Sequence, residues 1–146
     1  MGAIYITETW LSPNLPDSCV AIPGYNLFRK DQITTRGGVC IYLDHKVPWK
    51  LLESCQQEEV ESIWISMRQH SLPRQITSIV LGVIYHSTSN CEPENVIWRQ
   101  HIQRNLDMLL SNQPNALVLI TGDFNHHTTG LKSKDISQAN HLISSL

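Results

Sequence analysis

The sequence is first informative for what it lacks. None of its apolar runs approaches the roughly 20 residues that a membrane-spanning helix needs, so a membrane protein is excluded as a reading of the 146 residues. The first residues, MGAIYITETW, carry neither a basic region nor the apolar core of a signal peptide. Secretion is therefore not expected, and a nuclear or cytoplasmic setting is. Positive charge is not in excess. The formal charge is −2, which is no bulk electrostatic signature of nucleic-acid binding, although a bound cation can supply positive charge locally. The four cysteines (Cys19, Cys40, Cys55, Cys91) form no CxxC pair. Zinc and a disulfide framework are both poorly supported, and reduced buried thiols are the reading adopted. There is no HExxH, no GxGxxG, no P-loop, no internal repeat and no linker. One domain, 1–146, accounts for the chain.

What is present is mostly strand. Residues 3–7 alternate, with Ile4 and Ile6 on one face and Tyr5 on the other, and Glu8 continues the Ile4/Ile6 face. Residues 25–30 and 39–43 read as a hairpin with a longer loop. Arg29, Lys30 and Arg36 cluster at its tip, either as a solvated loop or as a contact for phosphate. A short strand near 49–52 and an alternating strand over 60–67 follow. The most apolar strand, 76–85, carries Ile79, Leu81, Val83 and Tyr85 on one face and Ile76, Val80 and Ile84 on the other, so it is expected to be central. A helix starts near 90–95, capped by Ser89 or Asn90. Its apolar stripe is Trp98, Ile102, Leu106, Leu109 and Leu110. Residues 137–146 are weakly helical. Trp10, Trp64 and Trp98 read as packing residues, and His86, His126 and His127 as polar residues at a rim.

The chain is organised around residues 116–127, ALVLITGDFNHH. Five apolar residues read as a strand buried on both faces. Gly122 then permits a turn or a close approach. Asp123 and Asn125 place two hard oxygen-bearing side chains at the end of that strand, where active sites of layered α/β proteins tend to sit. The run reads as a metal or phosphate site; an Asx-rich turn is the alternative from composition alone.

Three further pieces set the context: Ile6-Thr7-Glu8-Thr9-Trp10-Leu11, Arg36-Gly37-Gly38-Val39-Cys40-Ile41-Tyr42, and Tyr85 closing the 76–85 strand. Together with Gly122-Asp123-Phe124-Asn125 (GDFN), in this order, they resemble the endonuclease/exonuclease/phosphatase superfamily. The likeness is nearest to the apurinic-type endonuclease domain of non-LTR retrotransposons. It runs from Ile4 to about Leu146. It implies an α/β fold, a two-sheet sandwich flanked by helices, and hydrolysis of phosphoester bonds with Mg²⁺ or Mn²⁺. It also implies DNA as partner and, in a full-length element, a C-terminal reverse transcriptase. By the same resemblance Glu8 would be the metal ligand. Asp123 would orient or deprotonate the attacking water, Asn125 would hold that water or a phosphate oxygen, and Tyr85 would assist near the phosphate. From position alone Glu8 also reads as an ordinary strand-end carboxylate, and Tyr85 as a core tyrosine with its hydroxyl at the rim.

The departures from the family pattern are equally specific. An asparagine-bearing strand is expected upstream of Glu8, and a strand aspartate followed by an Asp-His pair downstream of GDFN. The 146 residues contain none of these; Asp44-His45 lies elsewhere, after the RGGV strand. The expectation is a partial domain, truncated at both ends, with uncovered edges and apolar faces and incomplete electrostatic stabilisation of a transition state. Its activity is expected to be impaired, and the other reading is a catalytically inactive remnant or interaction fragment. A phosphatase acting on small phosphoesters is disfavoured by the TETWL and RGGV pairing.

Overall fold

A computed structural model describes residues 2–32, 36–69, 71–87 and 92–125. The expected cap at Ser89 or Asn90, Cys91, His126, His127 and the helix over 137–146 lie outside the described residues.

Two sheets stack face to face, and a helix covers the outer side of one of them. The first sheet contains β1 (Ala3–Thr7), β2 (Tyr25–Lys30) and β3 (Val39–Asp44), in the order β1-β3-β2, all antiparallel. The second contains β4 (Trp49–Leu51), β5 (Ser62–Met67), β6 (Ser78–Tyr85) and β7 (Ala116–Asp123), in the order β4-β5-β6-β7. In it β6 and β7 run parallel, and the chain between them forms α1 (Glu92–Asn112). Parallel neighbours need such a crossover.

Alternation within the strands builds two cores. Val39, Ile41 and Leu43 of β3 meet Ile63, Ile65 and Met67 of β5 and Leu81, Val83 and Tyr85 of β6 between the sheets. The opposite faces of β5 and β6 supply Trp64, Val80 and Ile84 to a second core under α1. β6 is thus buried on both faces, as its continuous apolar run predicts. The expected hairpin is present as β2 and β3.

β7 differs from expectation. Among the described residues it is an edge strand, paired only with β6. Val118 and Ile120 pack toward α1, but Leu117 and Leu119 are 40% and 45% exposed. An apolar run does not distinguish a central strand from an edge whose inner face lacks a cover. The facing edge is β1, where Ile4, Tyr5 and Ile6 are also exposed.

The helix stripe also differs. Leu110 is exposed, whereas His101 and Asn105 are almost fully buried beside Leu109. Two polar residues take core positions because partners await them. His101 Nε2 faces Ser62 Oγ at 2.9 Å, Asn105 Nδ2 at 3.1 Å and Trp64 Nε1 at 3.3 Å, and its Nδ1 faces Gln57 Oε1 at 3.1 Å. Three surrounding donors make Nε2 the acceptor and Nδ1–H the donor.

Of the three basic residues expected at the hairpin tip, Arg36 is exposed, whereas Arg29 and Lys30 are engaged within the fold. Arg29 pairs with Asp17 at 2.9 Å and Asp31 at 3.5 Å and donates to the Leu15 carbonyl. Lys30 Nζ donates to the carbonyls of Gln57 and of Val60, the latter at 2.7 Å. Of the described cysteines, Cys40 and Cys55 are buried as expected, but Cys19 is exposed, in a short 3-10 turn with no core beneath it. No helix among the described residues is long and apolar enough to cross a membrane.

Candidate functional site

One end of the sandwich brings together residues that are far apart in sequence. β6 and β7 run in parallel register, with Tyr85 opposite Asp123. The Tyr85 ring lies in the inter-sheet core, only 7% exposed. Its hydroxyl donates to Glu8 Oε1 at 2.6 Å, across 77 positions of sequence. Tyr85 is thus a core tyrosine whose hydroxyl is engaged by Glu8.

Glu8 reaches that hydroxyl by breaking strand alternation. Ile4 and Ile6 lie opposite Tyr42 and Cys40, on the face away from the inter-sheet core. A regular strand would put Glu8 there too. Instead β1 stops at Thr7, and Glu8 takes φ 53, in the left-handed region. Its carboxylate then meets a tyrosine of the opposite sheet. Trp10 also has φ 53. Its indole is 64% exposed, so Trp10 is no packing residue; the turn carries it off the sheet. Trp64 and Trp98 do pack, both against the α1 core.

The left-handed turn is held by the paired glycines. Thr9 N donates to the Gly38 carbonyl at 3.2 Å and Trp10 N to the Gly37 carbonyl at 2.9 Å, so the bonds grip the chain immediately after Glu8. Gly37 and Gly38 have φ 108 and 88, and a Cβ on Gly38 would stand 2.4 Å from Thr9 Oγ1. Only glycine suits both the backbone and the space.

At the end of β7, Asp123 and Asn125 form a local turn. Asn125 N donates to Asp123 Oδ1 at 2.9 Å, and Asn125 Nδ2 donates to the His86 carbonyl at 2.7 Å. His86 N in turn donates to the Asp123 carbonyl at 2.9 Å. The Asx turn is therefore present, and it fixes where the carboxylate and amide stand. The His86 ring packs against Trp98 at 4.9 Å. Gly122 permits the close approach: a Cβ there would come within 1.8 Å of the Ile84 carbonyl oxygen.

The electrostatics of this end are acidic. Burial, the hydrogen bond to Glu8 and the nearby charges of Glu8, Glu61 and Asp123 push the Tyr85 hydroxyl up to about 12. Tyr85 therefore stays protonated and acts as a donor. Three carboxylates acting on one hydroxyl form the environment a hard cation relieves. Mg²⁺ often takes only one or two protein carboxylates and keeps water in its remaining positions. The oxygen donors of Glu8 and Asp123 fit that chemistry. Among the described residues there is no group of three or more His, Cys, Asp or Glu placed to hold an ion as a protein cage. A cavity of about 300 Å³ adjoins the end, lined by Glu61, Tyr85, His86 and Trp98 among others.

Sequence reasoning placed Glu8, Tyr85, Asp123 and Asn125 at one site, and the structure brings all four to this end. It missed Glu61, whose carboxylate accepts a hydrogen bond from Gly38 N at 2.5 Å. The signal was a glutamate at the head of β5 facing a Gly-Gly pair, visible only once the two sheets are stacked.

The chain shares its fold with a crystal structure of humanized D. rerio TDP2 carrying 14 mutations, at a TM-score of 0.54 and 17% identity; the match covers 94% of this chain and 56% of that one. The architecture is the two-sheet α/β sandwich of the endonuclease/exonuclease/phosphatase type. The chain spans little more than half the length of that protein. No protein-family model matches the sequence, and no curated protein matches it.

Proposed function

We propose that this chain is a Mg²⁺- or Mn²⁺-dependent phosphodiester hydrolase domain, of the DNA endonuclease type found in non-LTR retrotransposons. The observation that carries the reading is the 2.6 Å hydrogen bond from Tyr85 to Glu8, made where β6 and β7 also deliver Asp123. Two motifs from opposite ends of the sequence meet at one acidic, strand-end site.

The roles draw on the resemblance, read onto this geometry. Glu8 and Asp123 would hold the cation, which when bound polarises a phosphoryl oxygen and neutralises developing charge. Tyr85 orients Glu8 and keeps its own proton. Asp123, fixed by the Asn125 backbone N–H, is the carboxylate available to orient or deprotonate water. Asn125 ties β7 to the chain after β6, which fixes the distance between Asp123 and Tyr85. DNA is the substrate in this reading, a reverse transcriptase the C-terminal companion in a full-length element, and the nucleus or cytoplasm the setting.

The second reading is a catalytically inactive remnant or interaction fragment of such a domain. Nicking of supercoiled DNA in Mg²⁺ separates the two. Under the first reading the chain nicks faster than its Glu8→Ala and Asp123→Ala variants; under the second it does not. Nicking that survives both substitutions unchanged would refute the proposed site.

A further inference from the structure

We propose that Glu61 is a positioning residue for Glu8, acting through the Gly37-Gly38 turn; this rests on the reading of Glu8 as the site's carboxylate. The Glu61 side chain accepts the Gly38 N–H at 2.5 Å. The carbonyls of Gly38 and Gly37 accept from Thr9 and Trp10, the residues that follow Glu8. A short relay thus runs from one carboxylate to the backbone that holds the other in its left-handed conformation.

The same residue reaches the site a second way. Its backbone carbonyl accepts the Tyr85 N–H at 2.9 Å. One glutamate therefore grips the strand carrying Tyr85 with its main chain and the turn holding Glu8 with its side chain. Both partners of the Tyr85–Glu8 hydrogen bond are referenced to it.

Glu61 is itself fixed from behind. Ser62, the next residue, is fully buried and bonds His101 of α1 at 2.9 Å. Lys30 holds the Gln57 and Val60 carbonyls just before it. Asn105 Nδ2 donates to the Cys55 carbonyl at 3.0 Å. The segment carrying Glu61 is clamped from α1 and from β2, so its carboxylate is a firm reference. Gly38 is buried, so a lost acceptor leaves its N–H without a partner, and the turn shifts rather than tolerate that.

The relay needs a hydrogen-bond acceptor at full side-chain length, not a charge. Glu61→Gln retains that acceptor. Glu61→Asp keeps the charge but draws it back by one methylene, and Glu61→Ala removes it. The readout is the Tyr85 ring ¹³Cζ resonance in the metal-free chain, assigned by its loss in Tyr85→Phe and calibrated by its shift in Glu8→Ala. Glu61→Asp and Glu61→Ala are expected to move it as Glu8→Ala does, and Glu61→Gln to leave it in place. In parallel, Mn²⁺ affinity is expected to fall about tenfold in Glu61→Asp and Glu61→Ala, the scale of one lost buried hydrogen bond, and to stay within about twofold in Glu61→Gln. Glu61→Asp keeps the test available should the alanine variant fail to fold. A Tyr85 resonance unmoved by Glu61→Asp, or moved equally by Glu61→Gln, overturns the proposal. The expected resonance pattern with Mn²⁺ affinity indifferent to Glu8→Ala supports the relay and overturns the metal reading.

Discussion

Acidification should destabilise this fold through one buried side chain, His101. The ring is 1% exposed and stands among Ser62, Trp64, Asn105 and Gln57. Nε2 accepts from the groups around it. A proton there would set an N–H against the Trp64 and Asn105 donors and place a charge in the core. Burial first, then the charges of Arg104 and Lys30, lower the pKa of His101 from 6.5 to about 4. Because the folded value lies below the unfolded one, the neutral ring's contribution is complete above about pH 6.5 and is lost as the pH falls toward 4. Each pKa unit corresponds to about 1.4 kcal/mol, so the full difference is on the order of 3 kcal/mol. Urea unfolding at pH 7.5, 6.0, 5.0 and 4.5 reads it. Carboxylates and other histidines titrate as well, so the informative quantity is the wild-type slope minus that of His101→Gln, which cannot protonate in this range. The wild type should lose about 2–3 kcal/mol more than the variant between pH 7.5 and 4.5. Parallel slopes would refute the tautomer assignment and the hydrogen-bond network built on it.

Three further outcomes are expected. Gly122→Ala sets a Cβ 1.8 Å from the Ile84 carbonyl oxygen at φ 137; backbone strain and overpacking together cost about 3 kcal/mol or more, seen as a large fall in the urea midpoint. A normal midpoint would show that β6 and β7 do not approach this closely. Tyr85→Phe removes the donor to Glu8 and should cost about 1–2 kcal/mol below pH 10. Because Tyr85 is raised to about 12, its own stabilising contribution should fade in the wild type between about pH 10 and 12. Trp10→Ala should change stability by under about 1 kcal/mol, since the indole is 64% exposed; a larger loss would mean that the indole packs.

Much of the layout was legible because it follows from side-chain periodicity. Val39, Ile41 and Leu43 against Cys40 and Tyr42 announce β3, and the two apolar faces of 76–85 announce a central strand. What could not be read depends on neighbours in space. The run 116–120 looks central, yet the burial of Leu117 and Leu119 is decided by what faces them. The apolar helix stripe leaves out His101 and Asn105, because what buries them is a set of polar partners on β5 and in the segment before it. At the site, the motif residues were legible and their junction was not. Alternation puts Glu8 on the wrong face, and only the left-handed turn held by Gly37 and Gly38 returns it to Tyr85. Glu61 stayed hidden for the same reason: its partner is the backbone N–H of Gly38, in the turn before β3.

The proposed function requires that Glu8 and Asp123 form one divalent-cation site at the end of the sandwich. Titration of the 146-residue chain with Mn²⁺ tests it most directly, followed by water-proton relaxation and by calorimetry. One site is expected, weakened at least about tenfold by Glu8→Ala and again by Asp123→Ala, with both variants still folded. Binding that both folded variants retain unchanged, or a folded wild type that binds no Mn²⁺, would contradict it.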